Sequence, residues 1–203
     1  MKIAVIGATG NVGARIVDEA LRRGHAVTAI ARDPARLAGR HGLALVRGDA
    51  QDPAGLAPLL AAHDAVVSSV RFRDSRPEDM IDAVRGSGVK RYLVVGGAGS
   101  LFVEPGKLLV DTPHFPEAVR EEAGKGKLFL DALRGVQDLD WTMLSPSALF
   151  IAGERTGKFR LGEDTLLSGA DGKSWISYED FAIALVDEIE APRHVRRRFT
   201  VGY

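Results

Sequence analysis

The chain has 203 residues, with 27 Lys and Arg against 27 Asp and Glu, so its formal net charge is zero. A balanced charge gives no general attraction for nucleic acid or for an acidic membrane surface, and we expect neither as a partner. Cysteine is absent, which excludes disulfide bonds, a thiolate nucleophile and a metal held by cysteine. The apolar run at the N-terminus is too short for a signal peptide, and no run approaches the roughly 20 residues that span a bilayer, so we expect a cytoplasmic protein.

Short apolar runs alternate with helical patterns along the first half of the chain. The predicted strands cover residues 2–6, 26–31, 43–47, 65–70 and 92–95. The predicted helices cover residues 11–23, a short segment that begins at Asp33-Pro34, residues 55–62 and residues 77–85. Gly24 is the stop signal of the first helix, and Pro58 must lie near the start of the third or kink it.

The second half is less regular. Residues 101–115 show no clear period, and we interpret them as a long functional loop. The elements predicted after it are a helix over 116–134, a strand over 140–144, loops and short strands over 151–177, a helix over 177–190 and a strand over 198–201. Gly124 and Gly126 weaken the middle of the first of these helices, whereas Ser177 is a capping residue for the second.

Strands that alternate with helices predict an α/β fold, in which helices cover both faces of a parallel sheet. Right-handed crossovers then give the doubly wound strand order 3-2-1-4-5-6 of a three-layer Rossmann fold. The chain shows no linker and no internal repeat. We therefore assign residues 1–203 to one domain and expect residues 146–177 to form a small cap on its substrate side.

A glycine-rich segment at residues 7–13 directly follows the first strand and opens the first helix. Gly7 permits a tight turn, Gly10 lets the backbone approach a pyrophosphate, and Gly13 allows the helix to pack closely on the sheet. The free N–H groups at the helix start then face the phosphates. This context predicts a nicotinamide dinucleotide site, although the spacing is G-x-x-G-x-x-G rather than G-x-G-x-x-G. The residues expected to hold the dinucleotide here are Gly7, Thr9, Gly10, Asn11, Val12 and Gly13.

The end of the second strand bears on the choice of cofactor. NAD enzymes place an acidic residue there to bind the ribose hydroxyls, whereas an arginine can pair with the 2′-phosphate of NADP. Arg32 comes first here, and Asp33 competes for the acidic role. The position of Asp33 before Pro34 is better explained as a helix N-cap. The sequence therefore favours NADP(H) over NAD(H).

The ends of the third and fourth strands supply further candidates. Asp49 and Ala50 follow the third strand, where Asp49 either accepts a hydrogen bond from the adenine or serves as a simple turn residue. Ser68, Ser69 and Val70 end the fourth strand at the carboxyl edge, where ligands bind in this fold. They either contact the ribose or pack small side chains beside the glycine loop.

The motifs taken together resemble the atypical short-chain dehydrogenase/reductases. Within that family the chain is similar to the NAD(P)H-binding group that includes biliverdin-IX-beta/flavin reductase and the nitrogen-regulator-like sensors. The resemblance rests on IAVIGATGNVG at 3–13, ARDP at 31–34, GD at 48–49, VVGGAGS at 94–100, LDWTMLSP at 139–146 and ISYEDFA at 176–182. It covers nearly the whole chain and implies a bound nicotinamide cofactor, but it names no substrate.

One departure from the wider family concerns the catalytic pair. Most short-chain dehydrogenases use Tyr-x-x-x-Lys on the helix after strand five, where the lysine lowers the pKa of the tyrosine. In this chain, Lys125 and Lys127 occupy that helix, but Glu121 and Ala123 stand four residues before them. The hydroxyl nearest to the end of strand five belongs to Ser100. A typical alcohol or sugar dehydrogenase is therefore not expected, and neither is an isomerase of nucleotide sugars.

A few other side chains are candidates for chemistry. Ser100 and His114 are the possible catalytic residues, and His114 is also the kind of histidine that is simply exposed in a loop. The other four histidines lack the spacing of metal ligands, so we expect no metal. Three phenylalanines either form the wall of a flat apolar pocket or take part in ordinary core and loop packing: Phe102, Phe115 and Phe150. Trp141 is read as core, and residues 196–198 as a solvated basic end.

Two classes of function remain open. In the first, NADPH delivers a hydride to a flat conjugated small molecule such as a flavin or a quinone, which solvent can protonate without a tyrosine. In the second, the protein is a redox sensor that binds NADP(H) and passes its state to a partner protein without turnover. We favour the reductase.

Overall fold

The computed structural model describes residues 1–203 and has one central sheet flanked by helices. Its strands are β1 (Lys2–Ile6), β2 (Ala26–Ala31), β3 (Leu43–Arg47), β4 (Ala65–Ser68), β5 (Arg91–Val95), β6 (Phe102–Glu104), β7 (Lys107–Leu108), β8 (Asp140–Pro146), β9 (Leu149–Ile151), β10 (Arg160–Gly162), β11 (Trp175–Ser177) and β12 (Arg197–Gly202). Its α-helices are α1 (Asn11–Arg22), α2 (Pro53–Leu60), α3 (Pro77–Ser87), α4 (Arg120–Arg134) and α5 (Tyr178–Glu190).

The central sheet has the order β3-β2-β1-β4-β5-β8-β12-β10. Its first six strands are parallel and reproduce the predicted order 3-2-1-4-5-6, so the doubly wound Rossmann fold is confirmed. β12 continues the parallel sheet beside β8. At the far edge, the short strand β10, which the sequence did not assign to the sheet, joins it antiparallel to β12. An edge strand needs no crossover helix, which is why sheets of this kind admit such an exception.

Two apolar clusters of 22 buried residues each cover the two faces of the sheet. Ile3 and Val5 of β1 face the cluster that includes α1 and α5. Ala4 and Ile6 face the cluster that includes α2, α3 and α4. Burial on both faces explains why the strands are continuous apolar runs in the sequence. Trp141 is 2% exposed in the second cluster, as predicted.

The chain between β5 and α4 has more structure than the long loop predicted for residues 101–115. β6 and β7 form a hairpin whose turn contains Gly106 in the left-handed region, at φ +79°. The backbone of Phe102 also exchanges hydrogen bonds with Asp164 and Leu166, at 2.9 Å each. The helix predicted from residue 116 begins only at Arg120, after a short 3₁₀ turn at Glu117–Val119.

Capping explains where two other helices begin. Asp52 accepts a hydrogen bond from the N–H of Gly55 at 2.9 Å, so α2 starts two residues before the predicted position. The hydroxyl of Ser177 accepts from the N–H of Asp180 at 3.0 Å, which confirms the predicted cap of α5. The cap predicted for Asp33 is wrong, because its side chain makes no capping hydrogen bond to the following 3₁₀ turn.

The basic end at residues 196–198 is not uniformly solvated, contrary to prediction. Arg198 is 6% exposed, forms an ion pair with Asp164, and donates hydrogen bonds to the carbonyl and hydroxyl oxygens of Ser100. Removing a charged guanidinium from water costs much free energy, so an arginine is buried only when it is paired and hydrogen-bonded. The ion pair therefore ties the segment that follows β10 to the start of β12.

Residues 146–177 begin at the last residue of β8. β9 and β11 form a two-stranded parallel sheet of their own, whereas β10 belongs to the central sheet. This arrangement keeps Pro146, Ser147 and Leu149 next to the carboxyl edge of β5 and β8. None of the helices combines the length and the apolar character that a membrane span requires.

Candidate functional site

The glycine loop between β1 and α1 adopts a backbone that other residues would not tolerate. Gly7 has φ +77°, and a Cβ atom on it would lie 2.5 Å from the carbonyl oxygen of Ser69. A Cβ atom on Gly13 would lie 2.3 Å from the carbonyl oxygen of Gly7. Gly7 thus makes the tight turn, and Gly13 allows α1 to pack directly on the loop, as the sequence predicts.

The first turn of α1 presents unused backbone donors. Its first helical hydrogen bond runs from the N–H of Ala14 to the carbonyl of Gly10, at 2.9 Å. The N–H groups of Asn11, Val12 and Gly13 therefore have no acceptor within the helix. No acidic residue occupies this turn. Such a helix start attracts an anion, and phosphate is the ligand that suits it best.

A cleft of about 380 Å³ opens beside this loop, at the carboxyl ends of the strands from β1 to β4. We call it the dinucleotide cleft. Eight of the residues predicted to bind the dinucleotide line it: Gly7, Thr9, Gly10, Arg32, Asp49, Ala50, Ser69 and Val70. Four others do not line it: Asn11 and Val12 lie in the first turn of α1, and Gly13 and Ser68 are buried. The structure thus brings most of the predicted set to one place.

Three arginines stand around the dinucleotide cleft. Arg32, Arg36 and Arg71 all line it, all are exposed, and none takes part in an ion pair. Asp33 is also exposed but does not line the cleft. Sequence reasoning missed Arg36, although its place in the 3₁₀ turn Pro34–Leu37, four residues after Arg32, is a usable signal. The end of β2 is therefore basic on the side that faces the cleft.

Asp49 is a turn residue that also lines the dinucleotide cleft. Its carboxylate accepts a hydrogen bond from the N–H of Gln51 at 3.0 Å, which is the behaviour of a turn residue. The same side chain is exposed and belongs to the lining of the dinucleotide cleft. One carboxylate oxygen thus fixes the turn, and the group remains accessible to a ligand.

A second, larger cavity of about 660 Å³ lies beyond the ends of β5 and β8. We call it the aromatic cavity. Its apolar wall includes Phe72, Leu109, Phe115, Leu149 and Phe150. Phe115 and Phe150 are two of the three predicted wall residues; the third, Phe102, is not among the lining residues. A wall of flat apolar side chains suits a flat apolar ligand.

The dinucleotide cleft and the aromatic cavity adjoin each other. Arg71 lines the first, and its neighbour Phe72 lines the second. Both residues belong to the turn that follows β4, and β4 and β5 are neighbouring strands. The two spaces therefore lie on either side of this turn.

Few polar groups face the aromatic cavity. Ser100 lines it but is 8% exposed, and its hydroxyl oxygen accepts a hydrogen bond from the guanidinium of Arg198 at 3.1 Å. His114 lines the rim and is exposed. Glu122 of α4 points its carboxylate at the backbone of Phe72 and accepts its N–H at 2.7 Å. Ser100 thus has a structural partner, whereas His114 is free to meet a ligand.

The structure contains no tyrosine–lysine pair at either space. Lys125 pairs with Glu121 at 2.9 Å, and Lys127 pairs with Asp131 at 2.8 Å, both on the outer surface of α4. Tyr92 is fully buried in β5, and burial raises the pKa of its hydroxyl. Ser68 lies near that hydroxyl, but no hydrogen bond of acceptable geometry joins them.

The other two tyrosines also serve the fold. The Tyr203 hydroxyl donates to the carboxylate of Asp180 at 2.7 Å and lies 2.9 Å from the hydroxyl of Ser177. Burial and this carboxylate raise the pKa of Tyr203. The ring of Tyr178 packs edge-on against Phe150, with 4.7 Å between centroids. Neither tyrosine lines the dinucleotide cleft or the aromatic cavity.

Comparison with known proteins agrees with this geometry. A family model for NAD(P)H-binding proteins matches residues 7–192. The YwnB protein of Bacillus subtilis is 39% identical over 209 residues, which cover 99% of this chain and 98% of YwnB. A proposed epimerase from Bacteroides thetaiotaomicron superposes with a TM-score of 0.94 at 38% identity, covering 100% of this chain and 96% of that one. A proposed NADH-flavin reductase from Streptococcus pneumoniae has a TM-score of 0.87 at 36% identity, covering 100% and 99%.

Proposed function

The chain belongs to the NAD(P)H-binding family, and from that premise we propose that it is an NADPH-dependent reductase of flat, conjugated small molecules. The observation that carries the proposal is the pairing of the dinucleotide cleft with the aromatic cavity at one edge of the sheet. The carboxyl edge of a doubly wound sheet is where such folds bind their ligands. A reductase needs two such adjoining sites, one for each reactant.

The preference for NADPH rests on Arg32 and Arg36. Both line the dinucleotide cleft beside the end of β2 and lack carboxylate partners, so both are available to a 2′-phosphate. Charge-assisted hydrogen bonds from a guanidinium to a phosphate are among the stronger polar contacts. Asp33, which could instead bind the ribose hydroxyls of NADH, lies outside the lining of the cleft.

The dinucleotide fits the residues present. Glycines at positions 7 and 13 leave room that a Cβ atom would fill, and the first turn of α1 offers free N–H groups for the pyrophosphate. When bound, the nicotinamide supplies the hydride. The protein holds the cofactor and the acceptor next to each other, and the apolar wall of the cavity excludes water.

The aromatic cavity supports a flat acceptor such as a quinone or a flavin. Phe72, Phe115 and Phe150 provide the flat apolar wall, and residues 146–150 with Ser174 close the cavity as a cap on the acceptor side. Such acceptors take a hydride directly and receive their proton from solvent, so no tyrosine is required. The epimerase suggested for the Bacteroides relative is less suited to these residues, because isomerases of nucleotide sugars depend on the tyrosine that is missing here.

The test begins with titration of the purified protein with NADPH and with NADH. NADPH absorbance is then followed after addition of menadione, riboflavin, FMN and FAD. Tighter binding of NADPH together with acceptor-dependent oxidation would support the reductase. Tight binding without oxidation of any acceptor would instead favour a sensor that acts through a partner protein, and absence of binding would overturn both.

A further inference from the structure

The boundary between the dinucleotide cleft and the aromatic cavity is a single short turn. It runs from Arg71 through the 3₁₀ segment Phe72–Asp74, directly after β4. Arg71 faces the dinucleotide cleft and Phe72 faces the aromatic cavity. The position of this turn therefore sets how closely ligands in the two spaces approach each other.

Glu122 fastens this turn to α4. One carboxylate oxygen accepts the N–H of Phe72 at 2.7 Å, and the other accepts the N–H of Arg73 at 3.0 Å. The donors and the acceptor are 50 and 49 residues apart in the chain, so the contact is tertiary. A carboxylate that accepts two backbone N–H groups makes strong, charge-assisted bonds and holds both peptide units in one orientation.

The ring of Phe72 is fastened to the same helix. It lies 5.3 Å from the ring of Phe129, centroid to centroid, and passes over Gly126. A Cβ atom on Gly97 would lie 4.0 Å from the same ring. Helix α4 thus holds the backbone of the turn through Glu122 and its aromatic side chain through Gly126 and Phe129.

We propose that Glu122 is a positioning residue: it fixes Phe72 at the boundary and thereby sets the approach of the acceptor to the dinucleotide. This inference rests on the proposed function. Glu122 also lines the aromatic cavity, but both of its carboxylate oxygens already accept backbone N–H groups, so we assign it the positioning of Phe72 and no proton transfer. Reacting groups that are misplaced by about 1 Å can cost about a hundredfold in rate, so a small shift of the turn would be visible in turnover.

Glu122→Gln is the sharpest variant, because glutamine has nearly the same shape. Its amide keeps one acceptor oxygen but turns an NH₂ donor toward one of the two N–H groups. We expect kcat with menadione to fall about 10- to 100-fold. The dissociation constant of NADPH should change much less than kcat, because the phosphate loop and Arg32 are held by elements that Glu122 does not touch, and only Arg71 among the three arginines of the cleft lies on the released turn. The shape of the pH–rate profile should persist, since no proton donor has been removed.

Glu121→Gln is the matched control. Glu121 is the preceding residue of the same helix turn and pairs with Lys125 at the surface. The Glu121→Gln variant should have the kcat, cofactor binding and pH profile of the wild type.

Limited digestion with trypsin tests the turn without any ligand, because trypsin cleaves after the exposed Arg71 and Arg73. Cleavage there should be at least about tenfold faster in Glu122→Gln than in Glu121→Gln, because it follows the population of the released turn.

Wild-type kcat and wild-type cleavage in Glu122→Gln would overturn the proposal. So would a fall in kcat accompanied by an equal loss of NADPH affinity, or by loss of one limb of the pH profile. If the wild type reduces none of the acceptors with NADPH, the proposed function fails, and that failure is distinct from failure of the positioning role. The positioning role is then decided by the cleavage rates and by calorimetric titration of menadione into the NADP⁺-loaded proteins, where weaker binding to Glu122→Gln alone supports it and equal binding refutes it.

Discussion

The ring of Phe72 fills the space in front of Gly126, where a Cβ atom would lie 2.8 Å from a ring carbon. Helix α4 thus carries a glycine in its interior at the point where the aromatic side chain from the end of β4 crosses it. Gly124, two residues earlier, has no neighbouring atom within 4 Å of the same position. The packing of Phe72 therefore requires a glycine at position 126, whereas nothing around position 124 requires one.

A matched pair of alanine variants tests this difference. Gly124→Ala should raise the free energy of unfolding by about 0.5–1 kcal/mol, because it only improves helix propensity. Gly126→Ala should lower it by about 1–3 kcal/mol, because Phe72 must move out of a packed position. Turnover of acceptor should fall in Gly126→Ala alone. Urea unfolding and steady-state kinetics measure both effects, and equal behaviour of the two variants would contradict the role given to the Phe72 ring.

Cofactor choice is tested at Arg32. Arg32→Ala should weaken NADPH binding about 10- to 100-fold, the value of one or two hydrogen bonds to a charged group, and should leave NADH binding nearly unchanged. Arg47→Ala is the control, because Arg47 is also an exposed arginine at the end of a neighbouring strand but does not line the cleft. Calorimetric titration with each dinucleotide gives the comparison. An equal loss for NADPH and NADH, or a selective loss of NADH in Asp33→Ala, would overturn the preference for NADPH.

How much of this site could be predicted depends on how local each contact is. The turn at Gly7 and the packing at Gly13 are demanded by neighbouring backbone, so a short motif predicts them. The strand order follows from right-handed crossovers, which need no knowledge of side chains. Arg32 could be placed because it directly follows a buried strand. These features come from chain geometry within a few residues.

The remaining features depend on partners that are distant in sequence. Glu122 and Phe72 are 50 residues apart, and nothing near either residue signals the contact. Arg198 reads as a surface charge until Asp164 and the backbone of Ser100 are brought to it. Asp33 has the right position for a cap, yet its side chain makes no capping bond. Sequence patterns report what a residue can do, and the tertiary fold decides which partner it meets.

The role of His114 can be decided by truncation. A general acid contributes about 100- to 10,000-fold to a rate, so its loss would be plain. We expect His114→Ala to retain kcat within about threefold, because the proposed acceptors are protonated by solvent and His114 lies at the exposed rim of the cavity. Ser100→Ala should cost stability through the loss of its bond from Arg198, and should leave the pH profile unchanged. A fall in kcat of a hundredfold for His114→Ala, at unchanged NADPH affinity, would make it a catalytic residue.

Stability at low pH should depend on Glu19 of α1. Its carboxylate is 3% exposed and binds Arg155 through two hydrogen bonds of 2.8 Å and Arg23 through one of 2.9 Å. The hydrogen bond from Arg155, followed by that from Arg23, holds the pKa of Glu19 below its ordinary value against the opposing effect of burial. A carboxyl group whose pKa is lowered by folding stabilises the protein above its unfolded pKa, and this contribution is lost as the pH falls through the folded value.

Glu19→Gln should therefore lower the free energy of unfolding by about 2 kcal/mol near neutral pH, the value of hydrogen bonds to a charged group. The difference from wild type should begin to shrink as the pH falls below the unfolded pKa of a glutamate, about 4.3, because the carboxyl group of the unfolded wild-type chain then binds a proton that the folded protein does not. Urea unfolding across this pH range measures the gap, with Glu163→Gln as the control, since Glu163 is exposed and takes part in no ion pair. A gap that stays constant down to the acid transition would show that Glu19 contributes by shape alone and not by its charge.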